Sequence, residues 1–170
     1  MVRDRRGDPS QPDAVSDATA GGQAGAPPRP ISILVCAHCG RKNRIAPAER
    51  GAPHCGSCGK PLPWLVPATD ATFDVEARTS VTVLVDLWAP WCGPCRFVGP
   101  ILEDLAREFA GRLKVVKVNV DENRQTQARF GAMSIPTLVV LRNGREVDRI
   151  VGALPKPQLT VQLTPHLLRR

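Results

Sequence analysis

The stretch Val81-Thr82-Val83-Leu84-Val85-Asp86-Leu87-Trp88-Ala89-Pro90-Trp91-Cys92-Gly93-Pro94-Cys95 decides the fold. Its first eight residues form a near-continuous apolar run bounded by turn signals, the pattern of a strand buried on both faces. Beyond the cysteine pair, Phe97, Ile101, Leu102, Leu105 and Phe109 recur at three- and four-residue intervals. That is the stripe of an amphipathic helix, and Gly111 stops it. A buried strand feeding a helix, with two thiols at the junction, predicts an α/β layer structure.

Downstream, Leu113–Val120 reads as a second buried strand and Asn123–Phe130 as a short helix. Thr137–Leu141 and Glu146–Val151 flank Arg142-Asn143-Gly144-Arg145, where Asn-Gly is a strong hairpin signal. Pro157–Leu168 reads as a last helix with proline near its first turn and Pro165 limiting it. Upstream, Leu65–Pro67 counts as a short first strand, and Thr69–Phe73 as a helix start with Asp70 or Thr69 as cap. The order is β-α-β-α-β-α-β-β-α, with a terminal antiparallel hairpin.

The chain has 170 residues and a net charge of +7, unevenly spread. Residues 1–30 hold four basic and four acidic side chains, residues 31–67 five basic and one acidic, and residues 68–170 fourteen basic and eleven acidic. Residues 1–30 are mostly Asp, Ala, Gly, Pro, Ser and Gln with hardly a large apolar side chain. Such a segment cannot bury enough surface to offset its ordering entropy, which predicts a disordered tail. The expected division is a tail over 1–30, a cysteine-rich module over 31–63 and an α/β domain over 64–170. No apolar run approaches the roughly 18 residues of a membrane helix. The opening Met1-Val2-Arg3-Asp4-Arg5-Arg6 is followed by no apolar segment, so neither a secretory nor a twin-arginine signal is expected. A cytoplasmic monomer with no membrane partner is the expectation.

The six cysteines fall as three Cys-x-x-Cys pairs: Cys36/Cys39, Cys55/Cys58 and Cys92/Cys95. In a reducing compartment, thiols at that spacing hold a metal or exchange electrons. Cys36-x2-Cys39-x15-Cys55-x2-Cys58 lies within zinc-ribbon spacing, and each pair is followed by glycine, Gly40 or Gly59, an internal echo. Four thiolates make a closed tetrahedral site, structural and without an open position for water. A unit this poor in large apolar residues needs such a cross-link to fold. Iron in place of zinc, and His38 or His54 as substitute ligands, are the alternatives. Arg41, Lys42 and Arg44 offer phosphate contacts, but no aromatic residue is interleaved to stack on bases, so nucleic acid is not the expected partner.

The third pair opens a helix, and the chemistry requires that placement. A thiol attacks a disulfide only as thiolate. Free N–H groups and the macrodipole at a helix N-terminus stabilise an anion there. Cys92, first in the motif and expected on the exposed rim, is the nucleophile, and Cys95, one turn inside, resolves the mixed disulfide. With no second pair in that half of the chain, half of a metal site is the weaker reading.

The segment Val85–Cys95 resembles the active-site segment of thioredoxins. The resemblance continues in family order through Lys117-Val118-Asn119-Val120-Asp121, Ser134-Ile135-Pro136-Thr137 and Val151-Gly152-Ala153-Leu154, and covers roughly residues 65–168. With the cysteine-rich unit in front, the chain resembles the zinc-binding, thioredoxin 2-like branch of that family. This implies a thioredoxin fold, a central mixed sheet flanked by helices, preceded by a zinc ribbon. It implies that Asp86 is the buried carboxylate assisting proton transfer at Cys95 and that Lys117 tunes it. From the residues alone, Asp86 reads also as an incidental strand-end acid and Lys117 equally as a solvated strand lysine. Ile135-Pro136 would carry the family's cis peptide bond, with backbone beside Pro136 pairing to an extended substrate. Trp88, Trp91, Gly93, Pro94, Val151 and Gly152 would form the docking surface, and Pro100 would kink the active-site helix. Leu87 stands where the family usually has phenylalanine, Phe130 where it often has tyrosine, and Met133 precedes the cis-proline segment.

The expected function is therefore cytosolic reduction of target-protein disulfides, recycled by a thioredoxin reductase, with no bound organic cofactor. Two other classes stay open: an oxidant or isomerase of the same fold, and a redox-responsive zinc sensor or chaperone-like binding module.

Overall fold

The computed structural model describes residues 30–167. Apart from Pro30, the tail expected over residues 1–30 lies outside the described residues, as does Leu168 at the end of the expected last helix.

Two short strands come first: β1 (Ser32–Val35) and β2 (Lys42–Ile45) pair antiparallel, with Ser32 opposite Ile45 and Val35 opposite Lys42. β1 has the apolar composition of a strand, whereas two of the four residues of β2 are basic. The turn between them makes the second strand. Cys36 N–H donates to Arg41 O and Gly40 N–H to Cys36 O, both at 2.9 Å, and Gly40 takes φ +70°, a conformation that favours glycine. The second cysteine pair repeats this geometry, with Cys55 N–H to Lys60 O at 2.8 Å, Gly59 N–H to Cys55 O at 2.9 Å and Gly59 at φ +69°.

The remaining elements are β3 (Trp64–Ala68), α1 (Phe73–Ala77), β4 (Thr82–Trp88), α2 (Gly93–Glu108), β5 (Leu113–Asn119), α3 (Arg124–Arg129), β6 (Thr137–Arg142), β7 (Arg145–Val151) and α4 (Lys156–Leu163). The expected last helix is shorter than read: α4 gives way to a single 3-10 turn at Thr164–His166, where Pro165 interrupts the α pattern. The five-stranded sheet has the order β3-β5-β4-β6-β7. The first three run parallel, and β6 and β7 are antiparallel to their neighbours. Asn143 and Gly144 both take positive φ, 50° and 74°, the turn the Asn-Gly pair predicts.

Alternation along the strands divides two cores. Leu84, Val115, Leu138 and Val140 join Val98, Leu102 and Leu105 of α2 and Leu159 and Leu163 of α4. Val83, Val85, Val116 and Val139 join Phe73 of α1, Phe130 after α3, and Leu34, Cys36, Cys55 and Leu62 of the cysteine-rich module. The module thus shares the second core.

Neither Asp70 nor Thr69 caps α1: its N-cap is Thr72, with no side-chain cap bond. Asp70 caps α3 from a distance instead. Its carboxylate accepts from Gln125 N–H at 3.1 Å, Thr126 N–H at 2.8 Å and the Thr126 hydroxyl at 2.6 Å. Partial burial pushes the Asp70 carboxyl up, but these bonds outweigh it and hold the carboxyl below its usual range. Asp70→Ala is expected to cost about 1 kcal/mol at pH 7 in urea unfolding, the scale of a lost helix cap. A carboxyl depressed by folding stabilises above its unfolded-state value and loses that contribution as pH falls through the folded one. The two proteins should therefore converge below about pH 4.

Candidate functional site

Cys92 is the N-cap of α2 and is joined to Cys95 in a disulfide. Gly93-Pro94 opens the helix, and Cys95 N–H donates to Cys92 Sγ at 3.1 Å. Here a free helix N–H aims at a sulfur, which is the arrangement that stabilises a thiolate once the disulfide is reduced. The expectation that Cys92 sits on an exposed rim needs correction. In the disulfide form it is only 3 % exposed, while Pro90, Trp91, Gly93 and Pro94 around it are exposed. The sulfur is bonded inward to Cys95, and its neighbours provide the outer surface.

Asp86 lies on β4 and Lys117 directly opposite on β5. Lys117 Nζ is 3.1 Å from Asp86 Oδ2 and 5.1 Å from the centre of the Trp88 ring. The pair sits on the α2 side of the sheet, where a Cβ on Gly99 would approach Lys117 Nζ at 3.9 Å. Asp86 is 3 % exposed. Burial pushes its carboxyl above the ordinary range, and the nearby ammonium pulls it only part of the way back. A buried carboxyl kept within reach of protonation can take and return a proton. A carboxyl raised by folding binds its proton more tightly in the native state, so stability falls as pH rises from the unfolded-state value through the native one. Asp86→Ala is therefore expected to unfold at higher denaturant concentration at pH 8, by something on the order of 1 kcal/mol, with the gap closing below about pH 4. Lys117 remains 22 % exposed and can turn to water when its partner is lost.

The Ile135-Pro136 peptide bond is cis, and Pro136 O accepts from Gly152 N–H at 2.8 Å, tying the end of β7 to that loop. Val151 is 60 % exposed. Trp91 Nε1–H donates to Asp121 Oδ2 at 2.9 Å, fixing an exposed indole beside a hollow of about 380 Å³ lined in part by Val120, Met133, Ser134 and Ile135. Met133 is 98 % exposed. The structure thus brings Trp91 and the cis-proline loop to one surface, and Trp88 is half-buried beside Lys117. Asp121 carries no role in the sequence reading. Its bond to Trp91 spans 30 residues and leaves no local signal.

Cys36, Cys39, Cys55 and Cys58 form a second centre, their sulfurs all within 4.8 Å of one another. The Cys36–Cys58 and Cys39–Cys55 sulfurs are 3.6 Å apart. A metal held by sulfurs at about 2.3 Å in a tetrahedron requires about 3.8 Å between them, so the donor set fits such an ion. Cys36 and Cys55 are buried and Cys39 and Cys58 exposed. Backbone N–H groups of Cys58 and Ser57 face Cys55 and hold its thiol down at about 6. Neither histidine joins the cluster, and His54 Nδ1 pairs with Ala52 O at 2.9 Å.

Residues 64–164 match the family model described as Thioredoxin. Thioredoxin 1 of a Nostoc species is 52% identical over 100 residues, covering 58% of this chain and 94% of that protein. Thioredoxin of Haemophilus influenzae is 50% identical over 99 residues, 58% of this chain and 92% of its own. Thioredoxin of Bacillus subtilis is 48% identical over 103 residues, 61% of this chain and 98% of its own. The family match begins at Trp64, so the four-cysteine cluster lies ahead of it.

Proposed function

This chain belongs to the thioredoxin family and is a thiol-disulfide oxidoreductase, and from that premise we propose that it reduces disulfides in other proteins through Cys92 and Cys95. The observation that carries this reading is the Cys92 sulfur at the N-cap of α2, facing the Cys95 N–H. In the reduced protein the Cys92 thiolate attacks one sulfur of a target disulfide. The target S–S bond breaks, its other sulfur leaves and takes up a proton, and a mixed disulfide forms. Cys95 then gives its proton to Asp86, attacks Cys92 Sγ and releases the second target thiol. The product is the Cys92–Cys95 disulfide of this structure. Two electrons have passed to the target.

Lys117 keeps the Asp86 carboxyl from rising so far that it would hold its proton permanently. Trp88, Trp91, Gly93, Pro94, Ile135, Pro136, Val151 and Gly152 receive an extended target segment around the sulfur, its backbone pairing beside cis-Pro136. A thioredoxin reductase restores the dithiol, and the cytoplasm is the compartment. Membership of the thioredoxin family supports the reductase partner. Among the described residues no helix is long and apolar enough to cross a membrane.

Cys36, Cys39, Cys55 and Cys58 hold zinc as a structural ion, supported by their sulfur spacing and the paired knuckles. The ion supplies a cross-link that fixes the module, and the four-cysteine cluster supports placement in the zinc-binding branch. The proposed division is a module over 31–63 and a redox domain over 64–170.

Trapping tests the reading. Cys95→Ser in the full chain should accumulate mixed disulfides with target proteins on a non-reducing gel, all released by dithiothreitol. No adducts from the trapped variant would remove the reductase assignment. A reduction potential well above about −200 mV would instead assign an oxidant or isomerase.

A further inference from the structure

We propose that Asn43 is a positioning residue of the metal centre: its side-chain amide, clamped between the two cysteine knuckles, donates to the Cys55 sulfur and holds that ligand in place. The inference rests on the reading of the four-cysteine cluster as a metal centre.

Asn43 lies on β2 opposite Leu34. Its Nδ2 donates to Arg41 O at 2.8 Å and to Cys55 Sγ at 3.7 Å, and its Oδ1 accepts from Gly56 N–H at 3.0 Å. The amide orientation is fixed by these partners. A flip would set oxygen against the Arg41 carbonyl and nitrogen against the Gly56 N–H, losing each bond. Arg41 O also accepts from Cys36 N–H at 2.9 Å, so it belongs to the first knuckle, while Gly56 and Cys55 belong to the second. One short side chain therefore joins both knuckles, across 12 residues of sequence to Cys55.

The chemistry gives that bond a purpose beyond holding a turn. Four thiolates around a divalent ion leave a net charge of −2, and donors to sulfur relieve the excess. Among the described residues Asn43 is the one side chain, other than the cysteines themselves, that donates to a sulfur of the cluster. The internal echo sharpens the point. Seven residues after Cys36 the first repeat has Asn43, whereas seven residues after Cys55 the second has Leu62, fully buried in the shared core. The repeat does not need asparagine for its turn.

The test uses the full chain as wild type, Asn43→Ala and Asn43→Asp, each reduced, stripped of metal and titrated with zinc against a chromophoric chelator. Asn43→Asp keeps an acceptor for Gly56 N–H but offers no donor to sulfur. Both variants are expected to bind zinc about 10–100-fold more weakly, the usual cost of losing an outer-shell partner. Cobalt(II) gives the second readout: both variants should shift the sulfur-to-cobalt charge-transfer band, because the Cys55 thiolate has lost its side-chain donor. Wild-type affinity together with an unshifted band in Asn43→Asp would overturn the role and leave the metal centre standing. A wild-type chain that binds neither ion overturns both.

Discussion

Cys92→Ser is expected to lower dithiothreitol-driven reduction of insulin to the rate of dithiothreitol alone, a loss of at least about a thousandfold in the protein's own contribution. The reason lies in the helix terminus. Reduction breaks the bond to Cys95 and leaves the Cys92 sulfur facing the Cys95 N–H and the positive end of α2. A helix N-terminus favours the ionised form of a thiol, the nucleophile that attacks a disulfide, whereas a serine hydroxyl in the same place offers no such anion. Turbidity of precipitating insulin measures the rate, and equal rates for Cys92→Ser and wild type would end the assignment. Cys95→Ser separates the two steps. It retains the first attack and stalls afterwards, so a single burst of adduct is expected in place of turnover. The low exposure of Cys92 in the disulfide form makes a further demand. In the reduced wild-type protein, one thiol of this pair should react with iodoacetamide well before the other, with a rate that levels off at a pH below that of free cysteine.

The redox centre was legible because its requirements are local. A buried strand, a Cys-x-x-Cys and a helix stripe are contiguous from Val81 to Phe109, and the structure realises them as β4, Cys92 at the cap and α2. The knuckles were legible for the same reason, with cysteine spacing and following glycine being short-range signals. What stayed hidden is long-range or set by tertiary context. β2 has little strand composition and exists because the Cys36–Gly40 knuckle turns Lys42–Ile45 back against β1. Asp70 looks like the cap of the next helix but serves α3, more than fifty residues on. Lys114 reads as one more residue of a buried strand, and it is wholly buried. Its Nζ donates to Glu76 O at 2.6 Å and to the Glu76 carboxylate, and lies 4.3 Å from the centre of the Trp64 ring. Burial draws the Lys114 ammonium below its usual range, and Glu76 opposes the shift. A local window holds none of these partners, so residue type alone misleads there.

Removing the metal is expected to unfold the module and spare the redox domain. The module supplies few buried apolar side chains, Leu34, Cys36, Cys55 and Leu62. A two-stranded ribbon on that footing is marginal in water. Zinc held by four thiolates contributes about 10–16 kcal/mol of folding free energy in small domains, far more than such a core. Its loss should therefore dominate. The module meets the domain along β3, through β1, and near the start of β4, through Gly51 N–H to the Ser80 hydroxyl at 2.9 Å and Glu49 to Arg78 at 3.7 Å. Cys92 follows the other end of that strand, about 20 Å away at the rise of an extended chain. Cys36→Ser should thus lack, by elemental analysis, the zinc proposed for the wild-type protein and retain most insulin reduction. Hydrogen exchange gives the sharper readout. The N–H groups of Cys36, Gly40, Cys55 and Gly59 close the knuckles and should lose their protection, while those of β4 and β5 keep theirs. Unchanged protection at those four amides in the metal-free protein would mean that packing against the shared core, and not the metal, holds the module.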